Sequence, residues 1–323
     1  MNRRILLRIV LVCITLILVL GIVYSGLRIW ESTVLYSAKD QFVITKKTIT
    51  KDGIDYFPRQ DINVILIMGI DQEGPVVASA EPNHGNAVDM VTLMVFDEKA
   101  EVCTLLNVNR DAMVQMPMLN DRGMEDGTWY GQLAYSHTYG KGLEDSCVNT
   151  RKTVSNLLGG INIDYYIAMN MDGVEILNDA VGGVTVNVVD DFSMLDPSLH
   201  TGVFTLRGRQ ARTFVQTRYD VGDDLNLNRI ERQLEYSQKF MEAFRQKADD
   251  AFVLSTYDEI APYIVSDIPI STLTGLVNRY QNYPLAGTRS LAGENVLGEE
   301  FYEFYPDQEK LESLILELFY APK

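Results

Sequence analysis

Three apolar runs separated by short polar breaks constrain this chain more than any other feature: residues 63–68 (NVILIM), 91–96 (VTLMVF) and 102–108 (VCTLLNV). A short unbroken apolar run fits a strand that is covered on both faces. Residues 97–100 (DEKA) read as a turn, so the second and third runs form a hairpin. In a hairpin the start of one strand lies beside the end of the next, which brings Asp89 opposite Asn109, Arg110 and Asp111. The first run ends in Gly69-Ile70-Asp71, and if that end lies at the same edge, two carboxylates and an arginine converge there. Such a set suits Mg2+, which takes one or two carboxylates and fills its shell with water and phosphate oxygens. The alternative for each aspartate is a turn residue capping a loop.

Further along, strands and helices alternate. Residues 146–158 fit an amphipathic helix ended by Gly159-Gly160, and 165–170 a strand. Asp172 is placed to cap a helix through Val181 that Gly182-Gly183 stops, with 184–189 the next strand. The expected fold is therefore α/β, a mixed central sheet flanked by helices. Residues 61–248 form the main domain in this reading. Residues 249–323, with Ser271 capping one helix and Pro306-Asp307 opening the last, form a helical extension packed on it.

The stretch 216–233 (QTRYDVGDDLNLNRIERQ) gathers three arginines in a chain of net charge -16. Its Gly-, Asp- and Asn-rich loop leads into a helical pattern, with Asn226 or Asn228 as N-cap. Arg229, Arg232 and Gln233 then share one face, leaving Ile230 and Leu234 for the core. A helix start with forked guanidinium groups favours phosphate, and Arg218 just before the loop would complete the clamp. The competing reading pairs these arginines with Asp220, Asp223 or Asp224 as surface salt bridges.

Residues 1–8 carry Arg3, Arg4 and Arg8, and 9–27 (IVLVCITLILVLGIVYSGL) are apolar and uncharged. That pattern predicts one transmembrane helix with a cytoplasmic basic end and the rest of the chain outside. A cleaved signal peptide is the alternative. Residues 28–60 read as a stalk or packing arm.

Several chemistries are excluded. The surplus of acid repels a nucleic-acid backbone. No G-x-S-x-G, P-loop or dinucleotide fingerprint occurs, and His84, His137 and His200 are too scattered for zinc. With Cys13 in the apolar run, Cys103 and Cys147 remain either as a disulfide or as two buried thiols.

The order of these motifs resembles the LytR-CpsA-Psr family of envelope proteins. The family's Gly-x-Asp, Arg-Ser-Asp and Ile-Pro-Arg-Asp correspond to Gly69-Ile70-Asp71, Ala87-Val88-Asp89 and Val108-Asn109-Arg110-Asp111. Its Gly-Ile-Pro-Ile-Asp-Tyr-Tyr and Asp-Ala-Leu-Gly-Gly-Val segments are matched from Gly160 to Tyr166 and from Asp179 to Val184. Its Arg-x-Arg and final Arg-x-x-Arg-Gln are matched by Gln216-Thr217-Arg218 and Arg229-Ile230-Glu231-Arg232-Gln233.

The resemblance implies a membrane-anchored, extracytoplasmic phosphotransferase of a Gram-positive-type envelope. It would move a glycopolymer from a polyprenyl-pyrophosphate carrier to peptidoglycan. Asp71 and Asp89 would hold Mg2+. Arg110, Arg218, Arg229, Arg232 and Gln233 would grip the pyrophosphate, with Arg110 and its partner Asp111 at the catalytic centre. Ala87 and Gln216 depart from the family's arginines, and Arg122, Arg151 and Arg212 are the candidate substitutes. Those departures leave two alternatives: a non-catalytic polyprenyl-phosphate-binding regulator or scaffold, and a pyrophosphatase acting on the carrier.

Overall fold

The apolar run at 63–68 becomes the middle of a sheet. The structure, a computed structural model, describes residues 48–83, 85–217, 221, 226–299 and 301–323. The expected basic end and transmembrane helix, most of the 28–60 arm, and Arg218 lie outside the described residues. Among the described residues no helix is long and apolar enough to cross a membrane.

The chain opens with the hairpin β1 (Ile49–Lys51) and β2 (Ile54–Pro58), then enters β3 (Ile62–Ile70), β4 (Val88–Asp97) and β5 (Val102–Asn107). The β4–β5 turn forms because the Asp97 carboxylate accepts from the Lys99 and Ala100 N–H groups at 3.0 and 2.9 Å. The hairpin β6 (Met113–Leu119) and β7 (Glu125–Gln132) follows, then a short 3-10 turn, Leu133–His137, and α1 (Glu144–Leu157). Next come β8 (Tyr165–Asn170), α2 (Met171–Ala180), the two-stranded ribbon β9 (Val184–Val188) and β10 (Gly202–Leu206), and α3 (Arg209–Gln216). The remainder is α4 (Asn226–Arg245), α5 (Asp250–Ile260), β11 (Ile264–Ser266), α6 (Ile270–Tyr280), β12 (Leu285–Ser290), the hairpin β13 (Gly293–Leu297) and β14 (Tyr302–Pro306), α7 (Gln308–Phe319) and β15 (Tyr320–Pro322).

The central sheet is six-stranded and mixed, in the order β11-β8-β3-β4-β5-β12. Strands β3, β4 and β5 are antiparallel neighbours, whereas β8 runs parallel to β3 and β12 parallel to β5. Alternation sorts the side chains. Val64, Leu66, Met68 and Ile70 join Val91, Leu93 and Val95 on one face, beneath Cys147, Val154 and Leu158 of the α1 region and Leu311, Ile315 and Phe319 of α7. Ile65, Phe96, Cys103 and Leu105 face the other side, where α6 lays Tyr280 against Phe96 with ring centroids 4.3 Å apart. That second layer is thinner, since Ile67, Met94, Tyr165 and Ile167 are only partly buried.

Several expectations need correcting. Residues 249–323 are more than a helical extension, because they supply β11 and β12, both edges of the central sheet. Among the described residues the strand at 184–189 lies outside that sheet and pairs with β10, over its own core of Val184, Val186, Phe192, Leu206 and Phe214. Helix α2 is capped by Asn170, which accepts from Gly173 N–H at 3.1 Å, whereas Asp172 accepts from Gly74 N–H at 2.7 Å. Helix α6 starts after Pro269 without a side-chain cap from Ser271. Cys103 and Cys147 are both free and buried, in cores on opposite faces of the sheet, so the thiol alternative holds.

A chain ending at Arg245 would leave β8 and β5 as bare edges, and we expect it to show no cooperative thermal transition by circular dichroism. A sharp transition would show that the C-terminal residues are dispensable. Burial pushes the Cys103 thiol up to about 12, so native protein treated with iodoacetamide at mildly alkaline pH should keep Cys103 and Cys147 unmodified until denatured. Recovery of a Cys103–Cys147 cross-linked peptide would contradict this packing.

Candidate functional site

The pairing of β3 with β4 slips at its end. Gly69 faces Met90, but Ile70 faces Val88, so Asp89 is the extra residue of a bulge. A Cβ at Gly69 would lie 3.0 Å from the Met90 Cβ, so glycine keeps the two strands close as the register changes. Beyond the bulge the Asp71 N–H donates to the Ala87 carbonyl at 3.2 Å. Asp71 and Asp89 therefore flank the same sheet edge, which meets the condition that the end of the first strand lie there too.

Arg110 arrives on a pinned loop after β5. The Asn109 side chain accepts from the Asp111 N–H at 2.9 Å, a local turn that asparagine forms readily. The Arg110 carbonyl accepts from Ala134 N–H at 2.8 Å, and the Asp111 carbonyl from Phe304 N–H at 2.9 Å. From this platform Arg110 Nη1 binds Asp89 Oδ1, while its Nε lies 3.6 Å from Asp111 Oδ1. Asp111 is buried and also takes Gln132 Nε2 at 3.4 Å.

The other Asp89 oxygen belongs to α4. Arg229 Nη1 donates to Asp89 Oδ2 at 3.2 Å. Asp89 is thus held between two arginines, with side-chain exposures of 12% for Asp89 and 5% for Arg229. Low exposure makes these pairs strong and costly to break.

The rest of α4 differs from the expected helix. It already includes Asn226, so its capping residue lies outside the described residues, as do Asp220, Asp223 and Asp224. Its buried stripe is Arg229, Arg232, Gln233 and Tyr236, at i, i+3, i+4 and i+7, while Leu234 is only half-buried. Arg232 donates from Nε to the Phe214 carbonyl at 3.1 Å, from Nη2 to the Thr217 carbonyl and from Nη1 to Asp190 at 2.8 Å. Burial lowers the affinity of Arg232 for its proton, which Asp190 opposes. Gln233 Nε2 donates to the Val215 carbonyl at 3.1 Å. Among the described contacts these two side chains fasten the end of α3 and do not bond Asp71, Asp89 or Arg110.

Helix α3 adds residues that apolar patterning does not single out. Gln216 Nε2 reaches Asp71 Oδ1 at 3.5 Å, and Gln216 Oε1 accepts from Arg212 Nε at 2.9 Å. Arg212 also meets Glu73, Asp172 at 3.3 Å and Glu175 at 3.8 Å. Of the other candidate substitutes, Arg151 is buried against Asp267 at 2.9 Å, and Arg122 lies in the exposed β6–β7 turn. The sequence signal for Arg212 and Gln216 is their i, i+4 spacing on one helix.

What this edge can do chemically follows from its donors. Asp71 is exposed and only weakly engaged, and Asp89 presents hard carboxylate oxygens amid arginine charge. Two carboxylates fit Mg2+ that is shared with phosphate oxygens. Among the described residues no group of three or more His, Cys, Asp or Glu side chains is poised to hold a metal alone. An anion arriving here would meet the guanidinium groups of Arg110 and Arg229 at a partly shielded edge, a setting suited to holding a phosphoryl group.

Residues 32–318 match the LytR_cpsA_psr family. The chain belongs to the LytR-CpsA-Psr family. It is 25% identical over 283 residues to the polyisoprenyl-teichoic acid–peptidoglycan teichoic acid transferase TagT of Bacillus subtilis (strain 168), covering 82% of this chain and 78% of TagT. To TagU of Oceanobacillus iheyensis, named as the same kind of transferase, it is 30% identical over 185 residues, spanning about half of that protein at 51%. It is also 26% identical over 249 residues to biofilm regulatory protein A of Streptococcus mutans, covering 74% of this chain and 57% of that protein. The fold is shared with TagT bound to LI-WTA, at TM-score 0.61 and 24% identity over 80% of this chain and 90% of that one. Distant members of the family thus act as transferases linking polyisoprenyl-carried teichoic acid to peptidoglycan.

Replacing Asp89 by Asn would remove the carboxylate that two guanidinium groups of low exposure share. We expect Asp89→Asn to remain folded by circular dichroism yet lose about 3 kcal/mol in denaturant unfolding. An unchanged midpoint would mean that Asp89 is not the counter-ion that holds this edge together.

Proposed function

We propose that the chain is an extracytoplasmic phosphotransferase that moves a glycopolymer from a polyprenyl-pyrophosphate carrier to a peptidoglycan hydroxyl. The observation that carries this reading is Asp89 held between Arg110 and Arg229 at the edge shared with Asp71. In the reaction the acceptor oxygen forms a bond to the phosphorus that bears the glycan. The bond from that phosphorus to the bridging oxygen breaks, polyprenyl phosphate leaves, and the hydroxyl proton passes to water.

Each residue has a definite task in this scheme. Arg110 and Arg229 turn their forks toward the pyrophosphate oxygens and offset the negative charge that grows there. Asp111, buried and 3.6 Å from Arg110 Nε, supplies a second carboxylate that favours the charged Arg110 side chain at this edge. Arg232 and Gln233 act one step back by fixing the chain at Val215 and Thr217, which leads into Arg218. Asp71 and Asp89 would hold Mg2+, which when bound neutralises phosphate charge and orients the leaving oxygen.

The apolar segment at 9–27 supports a membrane anchor that would keep the domain at the carrier's bilayer. Gln216 and Ala87, which lack the family's arginine charges, favour a second reading as a polyprenyl-phosphate-binding regulator, a role in keeping with the name of the Streptococcus mutans relative.

The test incubates the full chain in detergent with a polyprenyl-pyrophosphate glycan, peptidoglycan fragments and Mg2+, and follows glycan transfer and phosphate release separately. We expect transfer that requires Mg2+ and falls by at least about a hundredfold in Arg110→Ala. Phosphate release without transfer would make the protein a pyrophosphatase. Binding without turnover would make it the regulator.

A further inference from the structure

Position 216 holds glutamine where the resemblance expects arginine, yet the charge has not left this part of the fold. Arg212 lies one helical turn earlier on α3, and its Nε donates to Gln216 Oε1 at 2.9 Å. Gln216 passes its other amide hydrogen-bonding group toward Asp71 Oδ1 at 3.5 Å. Asp71, Gln216 and Arg212 therefore form one chain of polar contacts that begins at the edge occupied by Asp89, Arg110 and Arg229.

The partners of Arg212 divide into fixed and exchangeable ones. Its side chain is 13% exposed, and its Nη1 faces Asp172 and Glu175 at 3.3 and 3.8 Å, both on α2. Its Nη2 binds Glu73, whose side chain is 72% exposed and which stands two residues beyond Asp71. An ion pair with so exposed a carboxylate is weak, because water competes for it. A doubly charged phosphate next to Asp71 would compete for Nη2 on better terms than Glu73 does.

The geometry points to Arg212, oriented by Gln216, as the contact for the second phosphate of the carrier's pyrophosphate, replacing by one helical turn the arginine absent at 216. This assignment rests on the proposed function, and it makes a claim that function alone does not. Arg110 and Arg229 would hold the first phosphate and Arg212 the second, so Arg212 sets the preference for a pyrophosphate over a monophosphate. Asp172 and Glu175 keep the guanidinium aimed while Glu73 covers it between turnovers.

The test measures binding of geranylgeranyl pyrophosphate and geranylgeranyl phosphate to the full chain in detergent with Mg2+, by titration calorimetry. Wild type should prefer the pyrophosphate. Arg212→Gln should weaken pyrophosphate binding about ten- to a hundredfold while changing monophosphate binding less than about threefold. The exchange variant, Arg212→Leu with Gln216→Arg, should recover the preference by returning the charge to 216. An Arg212→Gln protein that keeps the wild-type preference, or a folded exchange variant that lacks it, would overturn the assignment and leave Arg212 a clamp between α3 and α2. If Arg212→Gln does not fold, the exchange variant decides alone. Wild type that binds neither lipid would remove the proposed function, and this inference with it.

Discussion

The site depends on one carboxylate shared by two guanidinium groups. Asp89 takes Arg110 on one oxygen and Arg229 on the other, and so ties the loop after β5 to the first turn of α4. Those arginines come from positions 119 residues apart in sequence, as their numbers show, and without a common anion they would repel each other across a poorly solvated edge. The bulge that makes Asp89 an extra residue is what lets its side chain leave the pleat and reach both. The two guanidinium groups are thus held together at one edge by a shared carboxylate before any ligand is present.

Around that centre the protein spends polar groups on rigidity. Asn109 sets the turn of the Arg110 loop, Asp111 places a second carboxylate 3.6 Å from Arg110 Nε, and Arg232 with Gln233 staples the end of α3 to α4. Arg232 also lies over the Phe192 ring, 5.3 Å from its centroid, linking the staple to the core beneath β9 and β10. The acidic character of the chain as a whole makes these few buried arginines more selective, since the surroundings offer little other attraction for an anion.

The strand ends were legible because apolar runs fix where strands stop. Asp89 and Arg110 could be brought together from the hairpin of 91–96 and 102–108 alone, whereas Asp71 joined them only if 63–68 ended at the same edge. The bulge was not legible, since a one-residue slip leaves no pattern in the sequence. The C-terminal edge strands escaped for a similar reason: β11 has three residues, and β12 reads LAGTRS, without an apolar run. Helix α4 misled the reading because its buried face is polar, and periodicity assigns the inside to Ile and Leu. Arg232 and Gln233 share a face with Arg229 as expected, but which of three neighbours points at a ligand is decided by the carbonyls of α3, which only the folded chain supplies.

The order of strands also bears on how the chain is made. Strands β3, β4 and β5 are synthesised early, whereas β12, which covers β5, ends at Ser290, and β11, which covers β8, lies between Ile264 and Ser266. A nascent chain therefore carries an apolar sheet with open edges through most of its synthesis, and such edges are templates for pairing with other chains. Helix α7, which supplies Leu311, Ile315 and Phe319 to the main core, comes later still. Ribosomal elongation thus sets a waiting period during which the sheet needs shielding, and a chaperone that holds extended strands would be most valuable to this protein before residue 290 has emerged.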